Sequence, residues 1–172
     1  MQAPAPTDAP ARSVDVELFV ATEYPQVVAA VGLITGNRQD APDAVQDAIV
    51  GYLAKPPARE ITNLAAWITV VASNRLRDAY RSRAAEQRAL AKVGLSDEAT
   101  DDALSSLDID VTRALTALPP KQREAAVLHY LLDQSVETIA EALGVSTGTV
   151  KTQLFRARQS LAATLRKEDH RG

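Results

Sequence analysis

Cysteine is absent from all 172 residues, so neither a disulfide nor a cysteine-based zinc site can form, and a reducing compartment is compatible. Aromatic residues make up only 4% of the chain, with one Trp and two Phe, so no large aromatic core is on offer. No stretch approaches the ~18 consecutive apolar residues of a membrane span, so membrane insertion is not expected. No run alternates apolar and polar residues between turn signals, so strands are not expected either. Histidine is scarce: His129 falls within a helical pattern and His170 near the end. Neither has a second His or Cys at metal-ligand spacing, and no G-x-S-x-G or phosphate-loop motif occurs. No catalytic residue, metal or cofactor is therefore expected. The opening MQAPAPTDAPARS lacks an apolar signal core and reads as a disordered Ala/Pro leader, which points to a cytoplasmic protein.

What is present is helix-forming. The chain is 46% hydrophobic and rich in Ala, and its length allows one or two small cores. The expected class is all-α, with two small helical domains joined by a flexible linker. The expected division is a leader at 1–13, a first domain at 14–83, an acidic linker at 84–110, a second domain at 111–167 and a tail at 168–172. Formal net charge is −3, but it is unevenly spread. Residues 84–118 carry seven acids (Glu86, Asp97, Glu98, Asp101, Asp102, Asp108, Asp110) against Arg88, Lys92 and Arg113. Residues 119–172 carry eight Lys/Arg against six Asp/Glu. Such a balance disfavours tight DNA binding by the chain alone, because phosphate neutralisation supplies most of that affinity.

The most informative stretch is 118–165, LPPKQREAAVLHYLLDQSVETIAEALGVSTGTVKTQLFRARQSLAATL. Pro119 and Pro120 open a helix where their missing N–H groups cost nothing. That helix is expected to turn Ala126, Val127, Tyr130 and Leu131 to one face. Ser135 caps a second helix bearing Val136, Ile139, Ala140 and Leu143, Gly144 supplies the turn, and Ser146 caps a third helix. Two helices joined by a short Gly-containing turn form a helix-turn-helix, whose second member can enter a major groove. At about 100° per residue the third helix gathers Val150, Leu154, Ala157, Leu161 and Leu165 into one apolar stripe. Its opposite face holds Lys151, Thr152, Phe155, Arg156 and Gln159, with Arg158 at the margin. Cations and hydroxyls there can contact phosphates and base edges, and Phe155 can meet a thymine methyl. A merely solvated bundle helix would carry mixed Glu and Lys, yet no acid occurs between Glu141 and Glu168.

In the first half, Asp40 is placed to cap a helix with Pro42 in its first turn. Val45, Ile49, Tyr52 and Leu53 are expected to face inward, leaving Asp43, Gln46, Asp47 and Val50 outside. That outer face reads equally as a protein contact or as a solvated acidic face with one stray valine. After the loop KPPAREITN, Asn63 caps a helix expected over 64–83, with Trp67, Ile68, Val71 and Ala72 inside. Asn74, Arg77, Asp78 and Arg81 share a stripe with Trp67, and Arg75 and Arg83 add charge. This basic end suits a nucleic-acid backbone, and a surface salt-bridge stripe fits it equally.

Taken in order, four segments resemble the extracytoplasmic-function (ECF) RNA polymerase sigma factors. DAPDAVQDAIVGYL resembles the family's polymerase-binding helix, and AAWITVVASNRLRDAYRSR its promoter-melting helix. ALPPKQREAAVLHYL and VETIAEALGVSTGTVKTQLFRARQSL resemble its upstream-element reader. The resemblance implies a first domain (sigma region 2) that docks Asp43, Gln46, Asp47 and Val50 on the clamp helices of the polymerase largest subunit. It implies that the loop 55–63 captures an unpaired base of the −10 element, with Asn63, Trp67, Asn74, Arg75, Arg77 and Arg81 nearby. It also implies a second domain (sigma region 4) that reads the −35 element through Lys151, Thr152, Phe155, Arg156 and Arg158, with Ser146, Thr147 and Thr149 near the backbone. The implied partners are core RNA polymerase, promoter DNA and, in many family members, an anti-sigma factor. Three departures stand out: EYPQVVAAVGLITG lacks the family's usual basic residues, the promoter-melting helix and its loop are poor in aromatics, and Lys151 replaces a frequent Arg. The alternative from composition alone is a stand-alone helix-turn-helix regulator, which would need a dimerisation or ligand-sensing element that the sequence does not display.

Overall fold

The computed structural model describes residues 9–90 and 109–170, and all its regular elements among them are helical. The first half holds α1 (Ala9–Thr22), α2 (Tyr24–Thr35), α3 (Ala41–Ala54) and α4 (Leu64–Leu90). The second holds α5 (Ile109–Thr116), α6 (Pro120–Ala126) with a π-helical turn (Val127–Leu131) continuing it, α7 (Val136–Leu143) and α8 (Thr147–Asp169).

The centre of the molecule is α2. Its sequence YPQVVAAVGLIT contains no charged residue, and beyond its exposed first turn at Pro25 and Gln26 its apolar residues need cover on more than one side. Val27, Ala30, Val31, Leu33 and Ile34 are all buried. Around it pack α1, α3 and α4 from its own half, and also α5, α6 and the π-turn from the other. One hydrophobic cluster accordingly runs from Phe19 and Val31 through Ile68 to Leu128, Ile139 and Leu154. The basic residues missing from α2 are missing from a helix that both halves bury.

Local chemistry sets most element ends. Asn63 accepts the Ala66 N–H at 2.9 Å and starts α4, and Ser135 accepts the Thr138 N–H at 3.1 Å and starts α7. Gly144 closes α7 at φ 67°, where the Val145 N–H donates back to Ala140 O at 3.0 Å. Ser146 then accepts the Thr149 N–H at 3.1 Å and opens α8.

Several expectations need correction. Helix α1 reaches back to Ala9, so the segment read as a leader is helical from there; residues 1–8 lie outside the described residues. Helix α4 continues past Arg83 to Leu90, into the segment read as linker, and α5 begins at Ile109 rather than after Asp110. The remainder of that linker, residues 91–108, is outside the described residues. Helix α8 runs on to Asp169, into the expected tail. Asp40 stands at the start of α3 but makes no side-chain cap; it lies in a turn where its N–H donates to Asn37 Oδ1 and its carboxylate takes the Asn37 amide at 2.9 Å. Tyr130 is 52% exposed while Leu128 is fully buried, because the π-turn rotates the register by a fraction of a turn. Leu53 and Leu165 are also exposed, since each lies beyond the end of the packed face of its helix.

Candidate nucleic-acid and polymerase interfaces

The reader helix α8 divides sharply into two faces. Val150, Leu154 and Ala157 are buried against α6 and α7, while Lys151, Thr152, Phe155, Arg156, Arg158 and Gln159 are exposed. Phe155 is 58% exposed although it is one of only two Phe residues, a placement that a core would not choose. Ser146, Thr147 and Thr149 are exposed at the helix start, and Thr152 Oγ1 donates to Gly148 O at 3.0 Å. The free N–H groups and positive dipole end of a helix start favour phosphate contacts beside these hydroxyls.

Helix α3 likewise keeps Asp43, Gln46, Asp47 and Val50 outside, with Val50 63% exposed, while Ala44, Val45, Ala48 and Tyr52 are buried. Gln46 Nε2 donates across to the Tyr24 hydroxyl at 3.5 Å. Leu53, expected inside, joins this outer face and enlarges its apolar part.

The residues expected around the −10 contact separate into two groups. Arg75 and Arg81 are exposed, and Arg81 sits 4.0 Å from Asp78 within its own helix. Arg75 lies over α3, where a Cβ on Gly51 would come within 2.7 Å of its Nη2. Trp67 is half-buried with its ring 5.4 Å from that of Tyr52, so it is partly core. Asn63, Trp67, Asn74 and Arg77, by contrast, face the second half. A groove between the 55–63 loop and α7 is lined by Asn63 and Trp67 together with Thr138 and Glu141. A cleft of about 160 Å³ brings Asn74 and Arg77 together with Lys121, Glu124, Thr149 and Gln153.

Polar contacts fasten that seam. Arg77 Nη1 lies 3.3 Å from Glu124 Oε1, Thr62 Oγ1 donates to Glu141 Oε2 at 2.6 Å, and Arg59 Nη2 donates to Glu141 O at 3.1 Å. Arg123, on α6, donates to Thr116 O at 2.8 Å and Leu118 O at 2.9 Å, and reaches Ile34 O at the end of α2 at 3.4 Å. Burial, with the neighbouring Arg77 charge as a smaller cause, pushes the Arg123 guanidinium below its ordinary value. Sequence reasoning placed Arg59 and Thr62 only as part of loop 55–63 and missed Arg123, Glu124 and Glu141, for no single-helix pattern signals a contact made across 47 to 89 residues. Glu124 alone left a trace, as an acid in the middle of an otherwise apolar helix face.

Among the described residues no cluster of three or more His, Cys, Asp and Glu could hold a metal ion, and His129 Nδ1 is 2.8 Å from Gln134 O. No single described helix is long and apolar enough to cross a membrane.

Comparison with known proteins decides what these surfaces belong to. The Sigma-70 region 2 family matches residues 19–86, and Sigma-70, region 4 matches residues 108–161. The RNA polymerase sigma factor SigV of Bacillus subtilis (strain 168) is 30% identical over 140 residues, covering 77% of this chain and 80% of its own length. The chain belongs to the ECF sigma factors. The ECF RNA polymerase sigma factor EcfG of Rhodopseudomonas palustris (strain TIE-1) is 32% identical over 135 residues, covering 77% of this chain and 75% of the relative. Among solved structures, the sigma factor RpoE in complex with the anti-sigma factor NepR from Bartonella quintana superposes with a TM-score of 0.72 at 29% identity, over 88% of this chain and 97% of that one. CnrH in complex with the cytosolic domain of CnrY gives 0.59 at 26% identity over 88% and 86%. As a sigma factor the chain binds core RNA polymerase and promoter DNA and directs promoter-specific initiation of transcription. Sigma factors are regulatory, non-catalytic proteins.

Proposed function

We propose that the two halves of this sigma factor perform separate recognition tasks through the surfaces described above. In this reading residues 14–83 form the unit that binds polymerase and the −10 element, 84–110 connect, and 111–167 form the unit that reads the −35 element. The outer face of α3, with Asp43, Gln46, Asp47 and Val50, docks on the polymerase clamp helices. Loop 55–63 with Asn63, Trp67 and Asn74, backed by the cations Arg75, Arg77 and Arg81, engages the −10 element. On α8, Lys151, Thr152, Phe155, Arg156 and Arg158 face the −35 major groove, while Ser146, Thr147 and Thr149 hold its backbone.

The observation that carries this reading is α8: a basic, hydroxyl-bearing face with an exposed Phe155, directly opposite buried Val150, Leu154 and Ala157. Promoter recognition itself is the activity, without catalysis by this chain, and it takes place in the cytoplasm beside the polymerase. The solved relatives named above are complexed with NepR and CnrY, which supports an anti-sigma factor as a further partner. Run-off transcription from a randomised promoter library with core polymerase, followed by sequencing, tests the reading. Enrichment of two spaced elements is expected, and start sites independent of sequence would refute it.

A further inference from the structure

The cleft of about 160 Å³ between α4, α6 and the start of α8 combines two kinds of wall. Val70, Ala125, Leu143 and Val145 make an apolar part. Asn74, Arg77, Lys121, Glu124, Thr149 and Gln153 make a polar one. A cavity of about 150 Å³ is enough to hold a benzene ring. Apolar walls with a few convergent polar groups are the make-up of a small-molecule pocket. Asn74 and Lys121 are exposed, so the cleft has a mouth to solvent.

Charge in this cleft does not balance. Arg77 and Lys121 bring two positive charges and Glu124 one negative, which leaves one positive charge in excess. Glu124 engages Arg77 Nη1 alone, at 3.3 Å, and Asn74 Oδ1 accepts from that same atom at 3.4 Å. Arg77 Nη2 is buried with no hydrogen-bond partner, and among the described residues Lys121 forms no ion pair. A buried donor left without an acceptor is a cost that an incoming acceptor removes. The two oxygens of a carboxylate match the fork of a guanidinium. Arg77 keeps 26% of its side-chain surface, so a small adjustment of that side chain brings Nη2 to a group entering the cleft. One negative charge neutralises the excess, whereas a dianion would set its second charge against Glu124.

We propose that the cleft is a binding site for a small organic monocarboxylate whose apolar body is about the size of a benzene ring. The carboxylate pairs with Arg77 and Lys121, the Asn74 and Gln153 amides supply further donors, and the body lies against Val70, Leu143 and Val145. Because its walls come from both halves of the chain, the ligand stabilises their contact in proportion to its own occupancy. Asn74, Arg77 and Thr149 are also the residues assigned above to promoter DNA, so ligand and promoter compete for them. That competition rests on the assignment; the binding site does not.

Benzoate is the probe for the test, titrated calorimetrically into the full chain. Benzyl alcohol supplies the body without the charge, acetate the charge without the body, and inorganic phosphate a different anion. Saturable binding of benzoate with a Kd of about 1 mM is expected, a modest efficiency for so small a ligand, with the other three about tenfold weaker. In nitrogen-15 spectra the side-chain amide signals of Asn74 and Gln153 should shift with the same midpoint. Lys121 is exposed and outside the surfaces assigned to DNA and polymerase, so Lys121→Gln should weaken benzoate about fivefold with the fold and basal transcription unchanged. Run-off transcription with core polymerase should fall several-fold at ~10 mM benzoate for the parent and much less for Lys121→Gln. Lack of saturable benzoate binding, equal binding of benzyl alcohol or phosphate, unmoved Asn74 and Gln153 signals, or equal affinity in Lys121→Gln each overturns the proposal. Benzoate that binds as expected yet leaves transcription untouched would uphold the site and remove Asn74, Arg77 and Thr149 from the promoter surface.

Discussion

Arg77 on α4 and Glu124 on α6 meet at 3.3 Å, and the Glu124 side chain keeps only 8% of its surface while Arg77 keeps 26%. The two residues are 47 positions apart and belong to different halves of the molecule. Their pairing makes the seam a specific contact rather than a collapse of greasy surfaces. Removing Glu124 alone leaves the guanidinium partly buried without its partner, which is the costly way to break such a pair. A double-mutant cycle with Arg77→Met and Glu124→Gln, followed by denaturant unfolding, should give a coupling of ~0.5–2 kcal/mol, since Arg77 is still partly screened by water. Additive single effects would show that the contact is incidental.

The turn of the helix-turn-helix makes a separate demand. Gly144 sits at φ 67° with nothing within 4 Å of where a Cβ would be, so a substitution there meets backbone strain and no clash. Gly144→Ala should destabilise the protein by ~1–2 kcal/mol, and Gly144→Asn by less. Equal stability of the two variants in thermal unfolding would contradict a purely conformational origin.

On α3 the outer face is separable from the fold. Asp47→Arg with Gln46→Ala should abolish holoenzyme formation with little change in melting temperature, because both side chains point away from buried Val45 and Ala48. Truncating one partner of a charged pair at a desolvated interface costs ~2–5 kcal/mol. Undiminished co-purification of the folded double mutant with polymerase would remove this helix from the interface.

Arg156 offers a choice between two roles that one substitution distinguishes. If it reads a base edge, Arg156→Ala should erase preference at one position of the −35 element, at ~1–3 kcal/mol. If it holds a phosphate, binding should weaken evenly and the salt slope should fall by about one unit. Its exposure predicts little change in stability either way. A large drop in melting temperature would mean that the face of α8 is wrongly drawn.

Helix faces were legible wherever composition was unambiguous. Val150, Leu154 and Ala157 against Lys151, Phe155 and Arg156 follow from period alone, and the caps Asn63, Ser135 and Ser146 follow from their side chains. What could not be read were features set by tertiary context. The π-turn adds a residue to a helix whose apolar pattern reads equally well without it, and so Tyr130 and Leu128 exchange places. Asp40 has the right identity for a cap, but the preceding Asn37 claims it first. The face of α4 at Asn74 and Arg77 was recognisable as basic, yet that Glu124 covers it depends on a contact far along the chain. Even the missing charges of α2 were visible as a departure from family habit before the structure gave the reason, a second set of helices laid against it.

A helix without charge also limits how the molecule can be handled. Parting the halves would bare apolar surface on α2 and on the π-turn that packs against it. A chain whose halves parted would therefore be prone to self-association and to proteases, in proportion to the time it spent open. Variants that loosen the seam should then accumulate to lower levels in the cell even where their intrinsic activity is unchanged.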